Sequence, residues 1–412
     1  MMKRIFTFCF SVILIVSCQL KNTDDNLVLN LMESDKANFS YVLDNLDKHE
    51  VQVLYTEVNR DSDNTPHFVS HTLKANNINY FYPASSVKLY AAILALQKLN
   101  ELNINELDGN TSLKIDSSHT GQSTVLTDST SENTYPSIAH YIKKLFLVSD
   151  NDAFNRLYEF CGQQYLNEEL WERGFDQTQL FHRLSIALSR EENRNTNQFT
   201  FYDGAKTIYE QKAKFNEDDI YPMNKVSKGL GYKKDGELIT EPMDFTYKNH
   251  TSIENLQLAL RNIIFPGAAD EKSKFNLTDA DYKFLQRTMA MFPRESNYPK
   301  YNLEDNYVKF SLFEKDSTKP GGNVRIMSKI GMAYGFLTEN AYVFDVEAGV
   351  EYFLSAVIYV NENQIFNDNI YEYEKTGFPF LEELSRVIYN HELKREKKYK
   401  ADLSEFDFNF SN

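Results

Sequence analysis

A serine and a lysine stand three positions apart at the start of an apolar segment. Pro83 ends the preceding segment, and the run from Ser85 to Leu99 (SSVKLYAAILALQKL) is apolar nearly all round, without Gly or Pro. This pattern predicts a buried helix that begins at Ser85 and carries Lys88 on the same face. A serine hydroxyl becomes nucleophilic when a neighbouring base takes its proton, and a lysine in apolar surroundings loses its charge readily enough to be that base. The pair therefore indicates acyl transfer to Ser85.

A structural interpretation of the same pair competes with the chemical one. Ser85 would cap the helix, and Lys88 would lie at the surface with its stem over apolar neighbours. Since Ser and Lys are common residues, a chain of 412 residues meets this spacing by chance. The pair needs a second element to decide between the two interpretations.

Ser149-Asp150-Asn151 is that second element. It follows the apolar helical run IAHYIKKLFLV and precedes a further helical segment, DAFNRLYEF. Together, PASSVKLYAAI and SDNDAFNRLYEF resemble the nucleophile helix and the Ser-Asp-Asn loop of the class A β-lactamases and penicillin-binding proteins. The resemblance implies that Ser149 relays a proton between the substrate nitrogen and Lys88, and that Asn151 holds the substrate amide carbonyl. A second Ser-Asp-Asn, Ser62 to Asn64, is interpreted as a turn between two strands.

The family also carries a Lys-Thr/Ser-Gly motif on a strand beside the site, and the chain offers two candidates for it. Lys375-Thr376-Gly377 matches the letters, but Pro379 and a terminal helix leave no room for the two strands that follow the motif in the family. Lys329-Ile330-Gly331 ends a predicted strand and is followed by two more, YGFLTENAYVFD and EYFLSAVIYV. Context therefore favours Lys329.

The resemblance gives this motif three substrate-binding residues, Lys329, Gly331 and Met332. Lys329 would lie near Ser149, keep the site electropositive and attract a substrate carboxylate. The Met332 amide would form an oxyanion hole with the Ser85 amide. Ile330 departs from the family because it lacks the hydroxyl that binds this carboxylate.

A loop glutamate, which activates water for deacylation in class A β-lactamases, has no evident counterpart. The segment ENRNTNQF resembles the end of that loop, but the preceding stretch FHRLSIALSR contains no carboxylate. Glu191 and Glu192 lie nearby and are interpreted as solvated charges beside Arg190 and Arg194. The resulting hypothesis is that acylation is intact, while deacylation is impaired or uses another base.

The N-terminus carries a targeting signal. Two basic residues precede an apolar run of residues 5–16, which is too short to span a bilayer. The sequence Ile15-Val16-Ser17-Cys18 resembles a bacterial lipobox, which implies that residues 1–17 are a signal peptide, that Cys18 is lipidated, and that residues 18–38 are a tether. The alternative is a plain secretory signal with a chance Cys.

The same resemblance predicts an exported protein, anchored by lipid at the periplasmic or outer face of a bacterial cell envelope. Cys161 would be the only other thiol of the mature chain, so no internal disulfide is expected. The formal net charge of -15, with no basic stripe, excludes nucleic acid as a partner. The predicted partners are the membrane, through Cys18, and a small-molecule or peptidoglycan-derived substrate; no cofactor and no metal are implied.

Strands are predicted near both ends of the chain, with helices between them. This order predicts a mixed α/β fold in which residues 39–412 form one domain, with a mostly antiparallel sheet built from both termini, flanking helices and an inserted all-helical lobe at about 100–315. The polar segment 204–248 is read as an insertion. The predicted strands span residues 51–58, 67–74, 324–330, 341–345 and 351–360.

The function that these elements imply is hydrolysis by an active-site serine, with Ser85 acylated by a β-lactam or a related amide or ester. A penicillin-binding-protein-like D,D-peptidase, or an esterase with slow deacylation, is the alternative within the enzymes. A lipid-anchored binding protein with a decayed site is the alternative outside them.

Overall fold

The computed structural model describes residues 26–75, 79–119, 122–311 and 324–410. Cys18 and the signal peptide lie outside the described residues, so the predicted lipidation has no structural counterpart here. None of the described helices is long and apolar enough to cross a membrane.

A six-stranded antiparallel sheet is the centre of the fold, and it draws strands from both ends of the chain, as predicted. Two strands come from the N-terminal part and four from the C-terminal part, in the order β10-β12-β13-β1-β2, with β11 also paired to β12. Their bounds are β1 (Gln52–Arg60), β2 (Pro66–Leu73), β10 (Val324–Ser328), β11 (Gly331–Ala333), β12 (Phe336–Asp345) and β13 (Val350–Tyr359). Every residue of β12 and β13 is buried, because helices cover both faces of the sheet.

Ten α-helices surround this sheet in the described part of the chain. The terminal helices α1, α2 and α10 pack on one face, and α8 packs on the other, where the lobe begins. Their bounds are α1 (Leu27–Ser34), α2 (Lys36–Leu43), α3 (Lys88–Leu102), α4 (Ile138–Leu147), α5 (Asn151–Cys161), α6 (Gln163–Glu172), α7 (Arg190–Asn193), α8 (Ile253–Ile264), α9 (Asp279–Ala290) and α10 (Phe378–Lys394).

The prediction of a tether over residues 18–38 is wrong for residues 27–38. Asn26 caps α1 by accepting a hydrogen bond from the Leu29 amide. Val28 and Met32 are fully buried, and α1 packs against α10 and β2. Apolar side chains at positions four apart give the helix one buried face, and that face adds to the core. Residues 27–38 are therefore part of the folded domain.

The lobe between the two groups of strands is mainly helical, but the expectation that it is all-helical needs a correction. Short strands form small sheets beside the helices, and the segment 204–248 supplies most of those in the lobe. The strands of the lobe are β3 (Ser112–Ile115), β4 (Phe199–Asp203), β5 (Lys206–Gln211), β6 (Ser227–Lys228), β7 (Gly231–Lys234), β8 (Glu237–Ile239) and β9 (Met243–Asp244). A further short strand, β14 (Ile365–Phe366), follows β13 and pairs with β7.

Candidate active site

The turn that carries Ser85 leads directly into α3, in which 11 of 15 residues are buried. A 3-10 turn, Ala84–Val87, precedes α3, so the helix itself begins at Lys88 instead of at Ser85. Ala84 has a positive φ of 47°, a conformation that L-residues adopt at a cost and that clusters at functional sites. From residue 81 to residue 97, Ser85 is the one residue that is not buried. Its hydroxyl makes no hydrogen bond with a described residue.

Lys88 lies one turn further along and is fully buried at 0% exposure. Its Nζ donates to Asn151 Oδ1 at 2.7 Å, to Ser149 Oγ at 3.2 Å and to the Ser149 carbonyl. The interpretation of Lys88 as a surface residue and of Ser85 as a helix cap is therefore wrong, since Lys88 is internal and Ser85 makes no capping bond. Burial lowers the pKa of Lys88 to about 7, against a smaller opposing effect of Asp150. At neutral pH a large fraction of Lys88 is uncharged and able to take a proton.

The Ser-Asp-Asn loop connects α4 to α5, and its hydrogen bonds end the first helix and cap the second. The amides of Val148 and Asp150 both donate to the Lys144 carbonyl, which ends α4. Asp150 then caps α5, because its carboxylate accepts from the Ala153 amide at 2.8 Å. Between these two, Ser149 takes a positive φ of 54°. This backbone turn presents both Ser149 and Asn151 to Lys88.

Lys329 reaches the same hydroxyl from the sheet. Its Nζ donates to Ser149 Oγ at 2.9 Å and to the Ile330 carbonyl at 3.0 Å, and the side chain is 2% exposed. Burial and the neighbouring charge of Lys88 hold the pKa of Lys329 well below its ordinary value, while Glu339 acts in the opposite direction. The site therefore contains two buried amines around one serine.

Ile330 lies in a short gap between β10 and β11. The two strands pair with β12 in one continuous register, because Ser328 lies opposite Ala341 and Gly331 lies opposite Thr338. This register places Ile330 opposite Glu339. Ile330 is 6% exposed, so it contributes a buried apolar side chain and no hydroxyl for a substrate carboxylate.

Gly331 is held directly against the nucleophile turn. A Cβ added to it would lie 2.2 Å from the Pro83 carbonyl oxygen and 3.2 Å from the Ser86 amide nitrogen. A residue without a side chain is therefore required for β11 to approach Ser85 this closely. Met332 follows with 47% of its surface exposed, at the rim of the site.

A loop that follows α6 brings a second hydroxyl to the site. Ser185 Oγ accepts from Asn151 Nδ2 at 2.8 Å, so Asn151 bridges Lys88 and Ser185. Asn155 fixes the preceding residue, Leu184, by bonding to both its amide and its carbonyl at 2.8 and 2.9 Å. Ser185 is exposed, with a positive φ of 54°.

The base of this loop is closed by a buried ion pair. Arg183 Nε lies 3.2 Å from Glu159 Oε1, with both side chains under 5% exposed. Arg183 also donates to the carbonyls of Glu192 and Asn195, at the other end of the loop. These contacts hold the loop against α5 and fix the position of Ser185 at its tip.

Glu191 and Glu192 are both exposed. Glu192 forms a capping box with Ser189, whose amide donates to its carboxylate at 2.6 Å, and these bonds hold its pKa below the ordinary value. A carboxylate that caps a helix from the solvent side is not poised to take a proton from water in the cleft. The interpretation of the two glutamates as solvated charges agrees with these positions.

The structure brings together the side chains of Lys88, Ser149, Asn151 and Lys329, and it sets Gly331 against the turn of Ser85. The other Lys-Thr-Gly, Lys375 to Gly377, lies in a π-helical turn before α10, and Ser62 to Asn64 lie in the turn between β1 and β2.

Sequence reasoning missed two residues of the site region. Ser185 carries no chemical pattern in LSIALS, and only the fold places it on Asn151. Glu339 is fully buried and accepts from the Phe310 amide at 3.0 Å and Ser311 Oγ at 3.2 Å. Burial raises the pKa of Glu339 to about 7. A single Glu inside the apolar strand FLTENAYVFD was a signal that could have identified it.

Among the described residues, no group of three or more His, Cys, Asp or Glu side chains is arranged to hold a metal ion. The site places Ser85 one turn before the buried amine of Lys88, an arrangement that can support nucleophilic catalysis. The fold and the site are similar to those of the serine hydrolases of the β-lactamase and transpeptidase type.

Comparisons with known proteins agree with this class. Residues 40–210 match the model of the β-lactamase enzyme family, a stretch that includes Ser85, Lys88, the Ser-Asp-Asn loop and Ser185. The resemblance predicted from the sequence is confirmed over these residues, and the predicted mixed α/β fold with an antiparallel sheet is the one that the structure shows. No curated protein sequence matches the chain.

Several solved structures are similar to the chain at low identity. A β-lactamase from Xanthomonas campestris has 13% identity and a TM-score of 0.47, over 87% of this chain and 98% of that one. A β-lactamase from Burkholderia phymatum has 11% identity and a TM-score of 0.47, over 88% and 98%. A variant of PBP-A, in an acyl-enzyme complex with penicillin G, has 14% identity and a TM-score of 0.46, over 88% and 96%.

Proposed function

We propose that this protein is an active-site-serine hydrolase in which Ser85 is acylated by a β-lactam or a related amide or ester. The observation that carries the proposal is the contact between the buried Lys88 and the Ser-Asp-Asn loop, one turn after a serine whose hydroxyl bonds to none of the described residues. Burial of an amine costs free energy, and buried amines with a lowered pKa are found most often at functional sites. Here the amine would serve as the general base for Ser85.

The proposed acylation step uses Lys88 as the base. Neutral Lys88 takes the hydroxyl proton of Ser85 as the oxygen forms a bond to the substrate carbonyl carbon. The amides of Ser85 and Met332 stabilise the negative charge on the carbonyl oxygen. The proton then passes from Lys88 through Ser149 to the leaving nitrogen or oxygen, and the bond to that atom breaks.

Substrate binding is assigned to Asn151, Lys329, Gly331 and Met332. Asn151 would exchange its bond to Ser185 for one to the substrate amide carbonyl, while its Oδ1 stays on Lys88. Lys329 would attract a carboxylate. Because Ile330 is buried and apolar, this carboxylate would have one donor fewer than in the family, so weak carboxylate recognition is part of the proposal.

Slow deacylation is the second part of the proposal. The loop places the hydroxyl of Ser185, and no carboxylate, on the Asn151 amide. A hydroxyl is too weak a base to activate water at neutral pH. This feature favours a penicillin-binding-protein-like D,D-peptidase or an esterase with a persistent acyl-enzyme over an efficient β-lactamase. A decayed, lipid-anchored binding protein is the remaining candidate.

The cellular setting is also a proposal. The N-terminal sequence supports export, cleavage before Cys18 and lipid anchoring at the bacterial cell envelope. The catalytic domain would then act on a small-molecule or peptidoglycan-derived substrate at a membrane surface.

An intact-mass time course tests the enzyme. The chain without residues 1–18 is incubated with a penicillin and, separately, with an activated ester, beside a Ser85→Ala variant. The expected result is an adduct that requires Ser85 and lasts much longer than one turnover of a typical β-lactamase. An adduct that turns over rapidly would instead establish a β-lactamase, and no adduct with either reagent would leave the binding protein as the better explanation.

A further inference from the structure

A large pocket lies beside the segment that leads to Ser85. It has a volume of about 710 Å³, within the range of pockets that hold small organic ligands. Tyr80, five residues before Ser85, forms part of its wall, and Phe181, four residues before Ser185, forms another part. Neither Ser85 nor any residue assigned above to substrate binding lines it.

The walls of this pocket are fixed by hydrogen bonds, so its shape is present without a ligand. Gln179 holds the segment 221–223, since its side chain donates to the Tyr221 carbonyl at 2.7 Å and accepts from the Met223 amide at 2.9 Å. The next part of the wall lies where β6 pairs with β9, and there the amides of Val226 and Phe245 each donate a hydrogen bond to the opposite segment. Both side-chain polar atoms of Gln179 are thereby used to build the wall.

Four lysines line the pocket, against two acidic residues. Lys74 is paired with Asp47, and Lys228 lies 2.6 Å from Glu50. The two other lysines, Lys225 and Lys248, form no ion pair within the described part of the chain. Unpaired cations stand out in a chain with a formal net charge of -15.

Lys248 is the more constrained of these two lysines. Its Nζ lies 5.8 Å from the ring centroid of Tyr334, and the side chain is partly buried. Burial lowers its pKa, and Asp244 opposes this effect without forming an ion pair with it. An incoming anion would give this ammonium group the partner that it lacks.

Aromatic rings form the apolar part of the pocket. Tyr80 stacks on His250 with centroids 5.4 Å apart, and Phe245 lies 5.9 Å from Tyr80. Phe245 also packs on Tyr334 and on Tyr82, and so it separates the pocket from the turn of Ser85. The pocket thus combines flat apolar surfaces with two lysines that form no ion pair with a described residue.

We propose that this pocket is a second binding site, for an organic anion that joins a carboxylate or a phosphate to an apolar or ring-containing part. Lys225 and Lys248 bind the anionic group, and Tyr80 and Phe245 pack against the apolar part. The site is separate from the acylation site and does not depend on it.

Calorimetric titration of the full-length chain tests the site with four defined probes. These are 3-phenylpropionate, phenyl phosphate, the neutral 3-phenylpropionamide and inorganic phosphate. We expect at least one of the two ring-bearing anions to bind at least tenfold more tightly than both the neutral amide and inorganic phosphate. The anion that binds better identifies the acidic group. Equal binding of the amide and the acids, or no binding of either acid, would overturn the proposal.

Lysine variants show where the anion binds. The double variant Lys225→Ala and Lys248→Met is expected to weaken anion binding at least tenfold. The matched control, Lys233→Ala with Lys234→Ala, removes two lysines of β7 that do not line the pocket and should change nothing. A Lys329→Met variant tests whether the anion binds in the acylation cleft instead. If binding is lost there and retained in the Lys225 and Lys248 variant, the anion binds in the acylation cleft and the proposal is wrong.

Discussion

Lys88 and Lys329 donate hydrogen bonds to the same atom, Ser149 Oγ, at 3.2 and 2.9 Å. Lys88 begins α3 and Lys329 follows β10 of the sheet, so the hydroxyl of Ser149, in the loop between α4 and α5, joins the sheet to the helices. Two charged amines this close repel each other in a buried site, and the charge of Lys88 contributes to the low pKa of Lys329. The arrangement favours a state in which at least one of the two is neutral.

The first prediction concerns pH. Because burial lowers the pKa of Lys88 to about 7, Lys88 is protonated below that pH and cannot take the proton of Ser85. The rate of Ser85 acylation by an activated ester should therefore rise with pH, with a midpoint near 7, and level off above about 8.5. The measurement is adduct formation by intact mass from pH 5 to 9, corrected with Ser85→Ala. A rate that stays level across this range would show that Lys88 is not the base.

The second prediction separates the basicity of Lys88 from its charge. In Lys88→Arg the cation is retained but cannot lose its proton, so acylation should fall by roughly 10²- to 10⁴-fold, the usual contribution of a general base. Lys88→Met should lose a similar factor. The matched control is Lys98→Met, which removes a second mostly buried lysine of α3 that bonds to carbonyls of α5 away from the site. Unchanged acylation in Lys88→Arg would contradict the mechanism.

The third prediction concerns the fate of the acyl-enzyme. Ser185 Oγ lies 2.8 Å from Asn151 Nδ2, so a carboxylate introduced by Ser185→Glu would enter the site on the side of Asn151, where it could activate water. We expect the lifetime of the penicillin adduct to shorten by at least tenfold, without a matching change in the acylation rate.

Two control variants accompany this experiment. Ala187→Glu adds the same charge to an exposed position of the same loop and should leave the lifetime unchanged. Glu191→Gln with Glu192→Gln should also leave turnover unchanged, because both side chains face solvent. A loss of turnover in this double variant would show that one of the two is the base after all.

The sequence predicts the parts of the site that depend on local pattern. The helix after Ser85 is apolar on all sides, which predicts burial of Lys88, and the order of strands predicts a sheet built from both ends of the chain. The choice of Lys329 over Lys375 rested on the strands that follow it, and the structure places only Lys329 on Ser149.

Other parts of the site depend on contacts between distant segments, which no local pattern contains. Ser185 reaches Asn151 because Arg183 and Glu159 fold the loop back onto α5. The helix at residues 27–34 was mistaken for a tether because its apolar run LVLNLM is short and has polar residues on both sides, and a helix of eight residues is stable only when its buried face finds a partner. That partner, α10, lies more than three hundred residues away in the chain.

The last prediction tests the contact between β11 and the nucleophile turn. In Gly331→Ala the new methyl group would overlap the Pro83 carbonyl, since a Cβ at this position lies 2.2 Å from that oxygen. Backbone on both sides leaves little room to adjust, so the free energy of unfolding should fall by about 1 to 3 kcal/mol, the usual cost of overpacking. The same shift would move the Met332 amide away from Ser85, so acylation should also slow, in a variant that still folds. Gly267→Ala is the matched control, because an added Cβ there meets nothing within 4 Å. Urea unfolding and intact-mass acylation of both variants check the prediction, and a Gly331→Ala protein with unchanged stability and acylation would show that β11 does not depend on this close approach.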